Sequence, residues 1–162
     1  MTKQDYLKEV LRKSGMKGQI HSSLKELKHE NGIHYAGILR CTDSPDRAKS
    51  RKTFADQEGS MAIRRKYFNM TTNYNVVIAD QNEEKLEKLV ESFLVNLGKG
   101  YDDGEQNWVG VEAGDVDWVD EDDSVLKSKL AVEIPVTFTY GIYRDISAEK
   151  LPGAPVINIG DE

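Results

Sequence analysis

Between Leu130 and Ile142 every second residue is apolar: Leu130, Val132, Ile134, Val136, Phe138, Tyr140 and Ile142. The intervening positions carry Ala131, Glu133, Pro135, Thr137, Thr139 and Gly141. A period of two places successive side chains on opposite faces, so the stretch predicts a strand with one apolar face. At roughly 3.3 Å per residue it would run about 40 Å, nearly twice the usual strand length. Pro135 has no amide proton, which predicts an edge location or a bulge there. A strand that outgrows its own core leaves an edge for another chain to cover.

A different period appears upstream. Leu86, Leu89, Val90, Phe93, Leu94 and Leu97 fall at i, i+3, i+4, i+7, i+8 and i+11, one stripe of a helix over 81–97. Asp80, with Glu83 three residues on, predicts the cap, and Gly98 the stop. Tyr6, Leu7, Val10 and Leu11 predict a shorter amphipathic helix over 3–14, ended at Gly15. "SSLKELKHENG" reads as a helical turn capped by Ser22 or Ser23, with a strand through Leu24 as the competing assignment. "GIHYAGILRC" alternates, with Ile33, Tyr35, Leu39 and Cys41 on one face and Cys41 expected in the core. "MAIRRKYFNM", "TTN" and "YNVVIAD" predict a hairpin or one long strand bent near Thr72. "WVGVE" and "DVDWV" are short strands after a turn at "YDDGEQN".

Between "GIHYAGILRC" and "MAIRRKYFNM", 42–60 is polar, holds a Pro and a Gly, and shows no apolar period; it is expected to be a long exposed loop. The order of elements predicts an α+β domain over 1–146. Its sheet is mostly antiparallel and twisted, with amphipathic helices packed on one face and a long C-terminal strand. The remaining segment, 147–162, is an extended tail in which Val156, Ile157 and Ile159 are the apolar positions.

Composition narrows the classes. The chain has 162 residues, 38% hydrophobic and 31% charged, which suits one folded domain rather than a disordered chain. A net charge of −6 disfavours general affinity for nucleic acid. The single cysteine, Cys41, permits no internal disulfide and predicts a reducing compartment. The first residues lack the apolar run of a secretion signal, and no stretch is apolar enough for a membrane-spanning helix.

Searches for chemistry return little. His34 and Cys41 lie an odd number of positions apart in one expected strand, so their side chains diverge. His21, His29 and His34 lack the spacing of zinc ligands. "DVDWVDEDD" fails both calcium-loop registers, because neither Val119 nor Ala131 can supply the required oxygen. Glu26-Leu27-Lys28 spells the E-x-K of some metal-dependent nucleases, without an evident partner aspartate. No cofactor, metal or catalytic set is assigned, and no enzyme is expected.

Charge distribution carries more information. From Tyr101 to Asp123 there are ten acidic residues and no Lys or Arg. From Arg47 to Lys66 the basic residues are Arg47, Lys49, Arg51, Lys52, Arg64, Arg65 and Lys66, against Asp56 and Glu58. Opposite charges on one subunit predict head-to-tail docking, with Asp117, Asp120, Glu121, Asp122 and Asp123 on the acidic side.

The run "RRKYFNMTTNYNVVIADQNEEKLEKLVESFLVNLGKGYDDGEQNWVGVEAGDVDWV", followed by "KLAVEIPVTFTYGIYRD", resembles the tail terminator (tail completion) proteins of long-tailed bacteriophages. It is similar to versions in contractile-tailed phages and prophages. The resemblance covers about 62–145 and rests on the order of elements. It implies a non-enzymatic structural subunit of a hexameric ring in the virion tail, at its head-proximal end, assembled in the host cytoplasm. The implied partners are other copies of itself, the tail tube protein and the head-completion protein, with no membrane and no sequence-specific nucleic acid. The alternatives are another head–tail connector or tail component, or a small metal-dependent nuclease.

Overall fold

The computed structural model describes residues 1–55, 58–119 and 130–147. Its elements run α1 (Lys3–Lys13), β1 (Gln19–His21), α2 (Leu24–Lys28), β2 (Tyr35–Ala55), β3 (Met61–Asp80), α3 (Glu83–Leu97), β4 (Gly100–Asp102), β5 (Trp108–Ala113), β6 (Asp117–Val119) and β7 (Leu130–Ser147). Among the described residues the strands form one sheet ordered β1-β2-β3-β7-β5-β4, with β6 also paired to β7. This is the α+β class, with a mostly antiparallel sheet and a long C-terminal strand. The described chain divides into two units. One comprises Met1–Ser44 with Met70–Tyr140; the other comprises Pro45–Asn69 with the chain from Gly141.

The first unit holds the core. α1 begins with a reciprocal capping box, in which Thr2 Oγ1 accepts from the Asp5 amide at 3.1 Å and Asp5 accepts from the Thr2 amide at 3.3 Å. Its buried Leu7, Val10 and Leu11 meet the α3 stripe of Leu86, Leu89, Val90, Phe93 and Leu97. Both helices lie over the sheet face formed by Ala36, Ile38, Tyr74, Val76, Ile78, Val132, Ile134, Val136 and Phe138. Burying each such side chain contributes about 1.5–3 kcal/mol. The Tyr6 hydroxyl donates to the Leu97 carbonyl, and its ring stacks on Tyr101 with centroids 4.6 Å apart.

Two details of α3 differ from expectation. Leu94 is 38% exposed, because the stripe is narrower than six positions imply. The cap is Asn82, whose side chain accepts from the Lys85 amide at 2.9 Å; Asp80 instead accepts from the Asn82 amide at 3.0 Å. Gly98 ends the helix at φ 66°, a conformation glycine tolerates without penalty.

The other sheet face is thinly covered. Leu27 of α2 packs with Tyr35, Val77, Ala79 and Ala131. Ser23 caps this short helix by accepting from the Glu26 amide at 3.2 Å. The face expected from "GIHYAGILRC" is this lesser one: Ala36 and Ile38 enter the main core, while Ile33 is exposed and Cys41 is exposed rather than buried.

β7 follows its alternation, with Val132, Ile134, Val136 and Phe138 fully buried and Ile142 exposed. It is an interior strand, and Pro135 sits where its neighbour changes. β5 pairs antiparallel from Thr139 to Val136, β6 from Glu133 to Ala131, and Pro135 falls between them. The Gly114 amide donates to the Pro135 carbonyl at 2.7 Å. In a strand the amide and carbonyl of one residue point the same way. The amide that Pro135 lacks would face the carbonyl of Gly114, the next residue in the β5 register, so the ladder with β5 stops there and the proline sits at its end. A Cβ on Gly114 would lie 2.8 Å from Pro135 Cγ, so the two residues fit each other.

The second unit overturns the expected loop at 42–60. β2 runs on as a strand to Ala55, and β3 starts at Met61. Exposed positions occupy both faces of β2 from Cys41 to Arg47, so no apolar period marks it in the sequence. The expected tail lies outside the described residues from residue 148 onward.

Candidate assembly interface

The basic residues collect in the second unit, Arg47, Lys49, Arg51 and Lys52 on β2 and Arg64, Arg65 and Lys66 on β3. Arg64 spends its charge internally. It makes a two-pronged contact with Asp145 of β7, Nε at 2.8 Å from one oxygen and Nη2 at 2.9 Å from the other. The Asp145 carboxyl is held below the usual carboxylate range by those bonds. The Arg64 guanidinium also lies 4.2 Å from the Phe54 ring centroid on β2. β3 is thus the middle strand of this unit.

Aromatic rings brace three of the other cations. Arg47 lies 5.6 Å from the Phe68 ring, Arg65 5.1 Å from Tyr67, and Lys66 5.5 Å from Tyr143. The pairs Arg47–Phe68 and Phe54–Arg64 run in opposite senses along β2 and β3, which makes these two strands antiparallel. Sequence reasoning found the charges and missed Phe54, Phe68, Tyr143 and Asp145. The only linear signal was the adjacency of Tyr67 and Phe68 to the basic triplet. Arg47, Lys49, Arg51 and Lys52 are exposed, and they form the basic surface of β2 in this unit.

The acidic stretch belongs to the first unit. Asp102 and Asp103 build their own turn: Asp102 accepts from the Gly104 amide at 2.8 Å, and Asp103 from the Glu105 amide at 2.7 Å. Glu112, Asp115 and Asp117 are exposed. Asp120, Glu121, Asp122 and Asp123 lie outside the described residues. Two indoles accompany the acids, Trp108 at 60% exposure and Trp118 at 45%. Tryptophan and arginine are among the residues enriched at protein interfaces.

The histidines have local roles. His34 Nδ1 lies 2.8 Å from an Asp80 oxygen, and its Nε2 accepts from the Lys17 amide at 3.2 Å. One imidazole thereby ties the segment after α1 to the end of β3. Burial pushes the Asp80 carboxyl up, but the bonds from the Asn82 amide and His34 outweigh it and hold the group below its ordinary value. His21 Nε2 lies 2.5 Å from Glu30. Glu26 of the E-x-K triplet accepts from the Ser22 amide at 3.0 Å, a capping contact, and the intervening Leu27 is buried.

No protein-family model matches this chain, and no curated protein matches it. Among solved structures it is similar to the PVC sheath/tube terminator, in its extended state, of an extracellular contractile injection system. The match covers 98% of this chain at 15% identity, with a TM-score of 0.52. This chain spans 61% of the length of that terminator. At such identity the likeness defines the fold.

Proposed function

We propose that this chain is a structural subunit of a terminator ring, which caps a phage-type tail tube, stops its polymerisation and offers a surface for head joining. The observation that carries this reading is the similarity of nearly the whole chain to a sheath/tube terminator. The ring is a homo-oligomer, taken as hexameric from the resemblance of its sequence. Its partners are the tube protein on one side and a head-completion protein on the other. Docking between copies is head-to-tail, with the basic β2 surface against the acidic segment that contains Glu112, Asp115 and Asp117. Such charges set register and partner choice more than raw affinity.

Light scattering across protein concentration, with and without purified tail tubes, tests the reading. Self-association, or binding to tube ends, is expected. A strict monomer that also ignores tube ends overturns it. Charge reversal at Arg47, Lys49, Arg51 and Lys52 should weaken association at least about tenfold, as rim charges govern encounter, without moving the unfolding midpoint. Arg64 is unsuitable for this test, since its reversal breaks the contact with Asp145 inside the unit.

A further inference from the structure

The basic segment ends in an open strand edge. In the second unit β3 lies between β2 and β7, for Arg64 reaches Phe54 on one side and Asp145 on the other. The other neighbour of β2 is β1, which pairs only with Tyr35, Ala36 and Gly37. Among the described residues, then, the outer side of β2 has no partner strand from Pro45 to Ala55. Every second residue there points its amide and carbonyl outward. An edge of this kind accepts an extended segment by main-chain pairing.

Charge selects the occupant. The exposed cations Arg47, Lys49, Arg51 and Lys52 flank this edge. The chain itself carries β6, a short strand that begins at Asp117 just after the exposed Asp115 and whose pairing partner in its own subunit is β7. We propose that the outer edge of β2 between Pro45 and Ala55 takes the β6 segment of a second copy as an added strand. Backbone bonds supply the affinity, and the alternation of cations against carboxylates fixes the register. This rests on the ring reading and specifies the contact between neighbours. The bland alternative is that the cations merely keep the edge from sticking to other chains.

Amide hydrogen exchange on the full-length protein separates the two. The probe is a synthetic peptide with the sequence of Glu112 to Asp123, at saturating concentration. Alternate amides between Asp46 and Phe54 should slow at least about tenfold, with the amides between them unchanged, since only outward amides gain a partner. A peptide with proline in place of Trp118 keeps every charge and should protect less. Binding that leaves the edge amides unprotected, or protects them without alternation, overturns strand addition while leaving ring formation to the scattering measurement. Protection by oligothymidylate instead of the peptide also overturns it, by assigning the edge to a nucleic acid.

Discussion

Pro135 and Gly114 are each awkward in a sheet alone and are compatible together. Gly114→Ala would push a methyl against the proline ring at 2.8 Å, and the neighbouring atom is part of a closed ring that cannot swing away. The expected cost is about 1–3 kcal/mol, the range for overpacking. Pro135→Ala in the same chain should recover part of it, a coupling that denaturant unfolding of the double-mutant cycle would register. Additive effects would show that the contact is unimportant. Asp80 makes a second residue-level prediction. Its carboxyl titrates below its ordinary value in the folded chain, so the stabilisation is present above the unfolded value of about 4 and is lost as pH falls through the folded one. The urea midpoint of the native chain should exceed that of Asp80→Asn at neutral pH, and the gap should close under acid. A constant gap from neutral to strongly acidic pH contradicts the assignment.

At the scale of elements, the apolar period decided what could be read. α3 and β7 bury continuous stripes, and both were legible to within a few residues. Leu94 shows the limit, because a residue at the margin of a stripe satisfies the period without being covered. Phe93→Ala should therefore cost about 3–5 kcal/mol and Leu94→Ala under about 1, measured by chemical denaturation. β2 beyond Cys41 was illegible for the opposite reason: both of its faces are wet, so polarity read as a loop. The aromatic braces on the cations were hidden too. Phe54 reaches Arg64 from the neighbouring strand and Tyr143 reaches Lys66 from a strand distant in sequence, and no linear spacing encodes either meeting.

For the molecule as a whole, the apolar clusters among the described residues follow the division into units. Every member of both apolar clusters falls within Met1–Ser44 or Met70–Tyr140. A chain in which a short turn joins Ser44 to Met70, and which ends after Tyr140, should still unfold cooperatively in a thermal melt. It should also fail to self-associate. A non-cooperative melt would show that the core depends on the removed strands. Of the candidate interface, the charges were visible in the sequence from the start; their placement on an open edge required the topology.

That separation frees Pro45–Asn69 from the task of holding the protein together. Substitutions there answer chiefly to whatever the segment touches, so its surface can be exchanged for another with little effect on the fold that carries it. A fold built this way can exchange what it touches while keeping the same scaffold.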